Sequence, residues 1–286
     1  MNKKILVTGS DGQLGKSIQK LVEENKYNLD FVFANKDLLD ITKEKELEVF
    51  FKENTFDYCI NCAAYTAVDK AEEEEEKAFL INAESVRLLA INCKEHNTIL
   101  VHVSTDFVFD GLKKEPYIET DAVNPINVYG ASKLLGEKFA QDILDKYYII
   151  RTSWVYSEFG NNFVKTMLRL SKETNKITVV DDQVGCPTYA LDLAQAILEI
   201  IKSDPQKFGI YHFSNSGSIS WFEFAKAIIQ EIKSECQVKP IPSDAYPVKA
   251  KRPSYSVLDK EKTIKCLNLR ISDWKERLND LVSILD

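Results

Sequence analysis

Lys3-Lys4-Ile5-Leu6-Val7-Thr8-Gly9-Ser10-Asp11-Gly12-Gln13-Leu14-Gly15 begins with an apolar, β-branched run, breaks at a glycine and restarts as a helical pattern. Gly9, Gly12 and Gly15 make a G-x-x-G-x-x-G directly after the strand-like ILVT. In such a turn the first glycine permits a tight reversal, the second lets backbone approach a diphosphate, and the third lets the helix pack close. The helix N-terminus adds unpaired N–H groups and the positive end of a dipole. The stretch therefore reads as the strand, turn and helix that open a parallel sheet and receive a dinucleotide.

The same alternation continues outward from this segment. Strand-like runs at 3–9, 30–35, 57–63, 98–104 and 147–153 are separated by helical stretches at Gln13–Glu24, Glu44–Glu53, Asp69–Lys94 and Val128–Asp142. That order predicts an α/β fold, a doubly wound parallel sheet covered on both faces. Gly111–Gly130, with two prolines, breaks the rhythm and predicts a loop over the strand ends. Beyond Trp154 the pattern loosens into helices at Asn161–Lys172, Ala190–Lys202, Trp221–Ile232 and Asp273–Leu281, with strands at 177–181 and 209–213. The reading is a dinucleotide-binding domain over 1–153 with a returning segment near 176–202, and a smaller, mainly substrate-binding lobe over 154–286.

Composition narrows the function. Among 286 residues, 37 Lys and Arg face 44 Asp and Glu, a net charge of −7, so the basic surface that a nucleic-acid partner requires is missing. The apolar run at the N-terminus is too short for a signal sequence, and no stretch approaches the ~18 apolar residues of a membrane span. These features predict a cytoplasmic protein that engages no membrane. Cys59 and Cys62 form a C-x-x-C inside YCINCAA, where residues three apart on a strand point to opposite faces and cannot share an ion or a disulfide. With three histidines and no H-E-x-x-H, no metal site is predicted. The run Glu72–Glu76 would turn through about 500° on a helix, a solvated surface rather than a cation site.

Three further features carry chemistry. About 20 residues beyond Gly15, where a carboxylate would grip the ribose of NAD, stand Asn35 and Lys36. Lys36 suits a 2′-phosphate and favours NADPH, while Asp37 beside it leaves NADH open, and Asp40-Ile41 lie where the adenine edge would rest. Ser104-Thr105 ends the fourth apolar run, at the strand end where such sheets bind ligands, and only one of the two hydroxyls can face the site. Tyr129 and Lys133 are spaced one helical turn apart. A phenol of pKa about 10 is a poor acid near neutrality. The Lys133 ammonium, with the positive oxidised nicotinamide, is expected to lower it so that Tyr129 exchanges a proton with a carbonyl oxygen.

GSDGQLG, DLLDIT, NCAAYTAVDKAE, VHVSTDFVFDG, NVYGASKLLGE, RTSWVY, GNNFVKTMLRL, DDQVGCPT and KRPSYSVLD span nearly the whole chain. In these segments it resembles the extended short-chain dehydrogenase/reductase superfamily and, within it, the dTDP-4-dehydrorhamnose reductase family. The resemblance implies reduction of the C4 ketone of dTDP-4-dehydro-L-rhamnose by NAD(P)H, with Thr105 rather than Ser104 completing a triad with Tyr129 and Lys133. It implies cofactor contacts from Gly9, Asp11, Gly12, Gln13, Leu14, Gly15, Asp40, Ile41, Ala63, Ala64, Tyr65, Tyr129 and Lys133, to which the position of Lys36 adds one more. Contacts to the nucleotide-sugar substrate fall on Val68, Thr105, Asp106 and Trp154, and Arg252, flanked by Lys249 and Lys251, is our candidate for its diphosphate. Trp221 and Trp274 sit in amphipathic patterns and read as packing residues. Some family members hold Mg²⁺ at a dimer contact through glutamates. Here Lys16 stands near where a carboxylate is wanted and Tyr189-Ala190-Leu191-Asp192 follows Pro187-Thr188, which counts against Mg²⁺ and leaves monomer or homodimer open.

Two rival readings remain. One is a reductase of another nucleotide-linked 4-keto-6-deoxy sugar; a dehydratase would need an Asp-Glu pair where Asp106-Phe107 follows Thr105. The other is a non-catalytic dinucleotide-binding regulatory subunit, which the intact Thr105, Tyr129 and Lys133 argue against.

Overall fold

The computed structural model describes residues 2–25 and 29–285; residues 1, 26–28 and 286, which the domain boundaries above include, lie outside it. The first half runs β1 (Lys4–Thr8), α1 (Gln13–Asn25), β2 (Asp30–Ala34), α2 (Glu44–Glu53), β3 (Tyr58–Asn61), α3 (Val68–Ala71), α4 (Glu75–Phe79), α5 (Ser85–Glu95), β4 (Ile99–Thr105), α6 (Val128–Ile143) and β5 (Tyr147–Thr152). The second half continues with β6 (Val155–Tyr156), α7 (Phe163–Glu173), β7 (Lys176–Val180), β8 (Val184–Gly185), β9 (Thr188–Tyr189), α8 (Ala190–Ser203), β10 (Gly209–His212), β11 (Ile219–Ser220), α9 (Trp221–Glu231), β12 (Gln237–Ile241), α10 (Glu261–Leu267) and α11 (Trp274–Leu285).

Six strands form one parallel sheet in the order β10-β5-β4-β3-β1-β2. Parallel strands need crossover connections, and these helices cover both faces, so the strands are apolar on both sides. Ile5, Val7, Tyr58 and Ile60 face α1 and α8, while Leu6 and Cys59 face α2 and α5. Cys62 packs on the first of these faces, so the C-x-x-C pair is split across the sheet.

The helix expected over Asp69–Lys94 is broken. It divides into α3, a turn at 72–74, α4, a π-helical turn at Leu80–Glu84 and α5. The π turn carries Asn82, whose buried side chain accepts from Tyr65 N at 2.8 Å and donates to Tyr65 O at 3.0 Å. π turns inside helices are frequent at functional sites. The glutamate run is likewise not one solvated face: Glu72 accepts from Val128 N at 2.9 Å and Glu73 pairs with Lys249.

The returning segment lies later than expected. Lys176–Val180 pairs with β12 outside the large sheet, because both strands close the second core with α7 and α9. Instead α8 covers α1 and β10 pairs with β5, so residues 190–212 are what the first half receives from beyond Trp154. No helix among the described residues is long and apolar enough to cross a membrane.

Candidate active site

The chain leaves β1 toward β2 and returns on the other side as β3, so the crevice at their C-terminal ends is the switch point where open α/β sheets bind ligands. Gly9 has φ +64, and a Cβ there would lie 2.6 Å from Ala63 N, which shows how closely the turns after β1 and β3 touch. A Cβ at Gly15 would lie 2.6 Å from Ser10 Cα, so α1 is seated directly on its own turn. At Gly12 a Cβ would meet only Gly9 O, at 3.3 Å, leaving a cradle open above the turn. A cavity of about 330 Å³ extends from there, lined by Gly9, Asp11, Gly12, Lys36, Asp40, Ile41, Ala63 and Ala64 among others. These residues fit the adenosine and diphosphate of a dinucleotide.

Other residues expected in this half serve differently. Gln13 Oε1 accepts from Ser157 Oγ and Asn162 Nδ2, both at 3.0 Å, tying α1 to the second lobe. Leu14 is core, and the buried Tyr65 donates its hydroxyl to Glu74 at 3.2 Å. Asp40 accepts from Thr42 N at 3.1 Å and Thr42 Oγ1 at 2.7 Å. Burial works against ionisation there, but those bonds together with Lys36 and Lys43 hold the carboxyl below its usual range.

Thr105 ends β4, and Tyr129 lies in the first turn of α6. The N-cap of that helix is Asn127, which accepts from Gly130 N at 2.7 Å and donates to Lys251 O at 2.8 Å. Gly130 itself touches Phe107 O so closely that a Cβ would clash, and the start of α6 therefore rests on the turn after Thr105. The Thr105 hydroxyl and the Tyr129 phenol are brought close enough as a result for Thr105 to act on the phenol's ionisation. The Phe107 ring meets Tyr129 edge-on, with centroids 5.8 Å apart. Thr105 Oγ1 also donates to Asp106 Oδ1 at 3.0 Å. The adjacent Ser104 Oγ is buried with no hydrogen-bond partner among the described residues.

Electrostatics at this centre depart from the sequence reading. Burial pushes Tyr129 up to about 12, against the pull of the neighbouring Thr105 hydroxyl and with the Asp106 carboxylate adding to the rise. Lys133 does not lower it, because its ammonium group points at β4: Nζ donates to Val103 O at 2.7 Å and lies 3.3 Å from His102 Nε2. Burial brings Lys133 down to about 8, while Glu137 and Cys62 act the other way. Asp106 is pushed up to about 6 by burial, with Ser256 and Thr105 holding it back.

A second cavity of about 300 Å³ opens beyond Phe107 and is lined by Phe163, Met167, Val179, Trp221, Tyr246 and Arg252 among others. Trp221, expected to be a packing residue, is thus part of a cavity wall. Trp154 stacks on it at 3.5 Å and 9° between planes. Trp154 holds φ +47, which is unusual for a bulky residue, and a Cβ on Gly185 would come within 2.6 Å of its indole. Arg252 reaches this cavity with its guanidinium already bound to Asp69, at 2.6 and 3.2 Å. Val68, just before Asp69, is half-buried at the start of α3 and is not among the residues lining either cavity. Asp192 pairs with Arg277 at 3.0 Å and accepts from Asn215 at 2.6 Å.

The model of the RmlD substrate binding domain family matches residues 3–286. The chain belongs to this family. It is 41% identical to a dTDP-4-dehydrorhamnose reductase of Aggregatibacter actinomycetemcomitans over 97% of this chain and 98% of that one. A crystal structure of a dTDP-4-dehydrorhamnose reductase from Clostridium acetobutylicum superposes with a TM-score of 0.94 at 41% identity, covering 99% of both chains. The corresponding reductase of Bacillus anthracis, solved in complex with NADP, gives 0.94 at 42% identity over 99% of this chain and 100% of that one. Within this family fold, the residues that sequence reasoning missed, such as Phe107, Phe163 and Trp221, are apolar side chains whose patterns look like ordinary core.

Proposed function

We propose that this protein reduces the C4 ketone of dTDP-4-dehydro-L-rhamnose to dTDP-L-rhamnose, the last step of dTDP-rhamnose biosynthesis, with NADPH as preferred reductant. The placing of Thr105, at the end of β4, and Tyr129, in the first turn of α6, beside Phe107 where the aromatic cavity begins carries this reading. The nicotinamide cofactor, when bound, supplies the hydride. Tyr129 stays protonated through the neutral range, so its hydroxyl is ready to give a proton to the ketone oxygen as negative charge develops there. Thr105 holds that oxygen against Tyr129, and Lys133, one turn along α6, grips the ribose of the nicotinamide half when the cofactor is bound. Both ligands are anionic and the protein carries −7, so local donors must hold them: the N–H groups at the start of α1, Lys36 and Arg252.

The test follows loss of reduced-nicotinamide absorbance with purified protein, the dTDP-4-keto sugar and either NADPH or NADH. Substrate-dependent oxidation, faster with NADPH, is expected. Turnover only with a different 4-keto-6-deoxy nucleotide sugar would move the substrate assignment. Binding of both cofactors with no turnover of any such sugar would make the protein a regulatory subunit.

A further inference from the structure

Thr8, Asn61, His102 and Lys133 are each 2% exposed or less and form a polar array through the interior of the sheet. Thr8 pairs with Asn61 across β1 and β3, and Asn61 with His102 across β3 and β4. Thr8 Oγ1 donates to Asn61 Oδ1 at 2.7 Å, Asn61 Nδ2 lies 3.1 Å from His102 Nδ1, and His102 Nε2 lies 3.3 Å from Lys133 Nζ. The reaction described above makes no use of the first three.

The protons of this array are fixed from one end. The backbone N–H of Ala63 points at Asn61 Oδ1 from 3.2 Å. A backbone N–H can only donate, so the amide oxygen must face it and Nδ2 must face the histidine. An amide NH₂ also only donates, so His102 Nδ1 accepts and the ring proton sits on Nε2. A doubly protonated ring would set two donors against each other, and burial keeps His102 far below its usual pKa. Nε2–H therefore points at Lys133 Nζ, which already donates to Val103 O at 2.7 Å. A neutral amine has a lone pair to receive that N–H, whereas an ammonium has none.

We propose that His102 is a positioning residue: locked as its Nε2–H tautomer, it donates to the Lys133 amine and favours the uncharged form of the catalytic lysine. The other groups acting on Lys133 are the Cys62 thiol after β3 and Glu137 one turn along α6, while Tyr129 stands one turn back on the same helix. Glu137 is bound to Arg151 of β5 at 2.7 Å, which blunts its support for the ammonium. Burial outweighs Glu137 and Cys62 and brings the lysine down to about 8 from the alkaline end of the range, and the His102 donor adds to the same direction. The functional weight of this arrangement rests on the proposed reaction, but the tautomer itself does not.

Two measurements test it. ¹⁵N NMR of the ligand-free protein should show His102 neutral, protonated at Nε2 and not titrating from about pH 5 to 9. An Nδ1–H tautomer, or a titrating ring, would overturn the proposal whether or not the protein turns over. His102→Leu removes the donor, and His102→Gln restores an acceptor toward Asn61 and a donor toward Lys133. In His102→Leu the Lys133 titration, read by NMR and by the alkaline limb of kcat/KM, should rise by about 0.5–1 pH unit, with His102→Gln returning it toward wild type. An unmoved titration in the Leu variant, or equal shifts in both, would sink the idea. A shifted NMR titration without turnover would instead reject the reductase reading and leave the histidine assignment standing.

Discussion

The two cavities are built in opposite ways. The cofactor side is assembled from a few short consecutive runs at strand ends: Gly9–Gly12, Asn35–Thr42 and Cys62–Ala64. The cavity proposed for the substrate draws side chains from Phe107, α7, Ile177–Val180 of β7, Trp221 of α9 and the loop around 243–252, parts far apart in the chain. A site made of consecutive residues leaves a motif, because backbone geometry fixes its spacing. A site made of scattered side chains is held by packing, and its members look like core until the chain is folded.

Four substitutions break or sharpen this contrast. Tyr129→Phe, beside Phe107, removes the transferable proton and keeps the ring, so kcat should fall by roughly 10²–10⁴-fold while NADPH affinity, read by quenching of protein fluorescence, changes little. Gly185→Ala would drive a methyl into Trp154 and displace the stacked Trp154–Trp221 wall. Because misplacement of about 1 Å can cost 10²-fold, kcat/KM for the sugar should drop by about that factor with cofactor affinity intact; equal losses for both ligands would show that the two cavities are not separable. Lys36→Ala should weaken NADPH by about tenfold, on the order of one charge-assisted hydrogen bond, and leave NADH unchanged in a parallel titration.

The smallest effect concerns stability. Asp106 is held near 6 by burial against an ordinary value near 4, so the folded state retains its proton longer than the unfolded chain. Its favourable contribution is complete below about pH 4 and is lost as pH rises through about 6. Asp106→Asn should therefore melt like wild type at pH 4 and several degrees higher at pH 7.5, a gain of about 2–3 kcal/mol, at the expense of turnover. A constant difference across that pH range would show that Asp106 is not the group responsible.

The sheet was legible because its signals are local. The strand runs at 30–35 and 147–153 and the helix at 44–53 agree with the structure to within a residue, since apolar runs and their breakers set those limits. The break between α3 and α5 was hidden because apolar and charged residues keep a helical rhythm through it, and only the tertiary grip of Asn82 on Tyr65 reveals the π turn. β12 escaped notice since QVKPI carries a proline and is mostly exposed, paired along one edge alone. Trp221 belongs to an amphipathic helix, and its role came from Trp154 turning into a left-handed backbone beneath it. The effect expected of Lys133 on Tyr129 failed for a related reason: spacing along a helix gives proximity, but the direction of Nζ was decided by Val103 and His102 on another strand.

The late return of α8 and β10 also governs how the molecule is made. When synthesis has delivered β5, the outer edge of that strand has no partner and the side of α1 that α8 covers lies bare. Both wait until residues 190–212 have emerged, after β7 but before its partner β12. The dinucleotide-binding half is therefore not a unit that folds first and waits for the rest. A chain cut after residue 153 would expose an open strand edge beside a bare apolar helix face, the combination that drives nascent chains to aggregate. The interleaved order commits the two halves to being completed together.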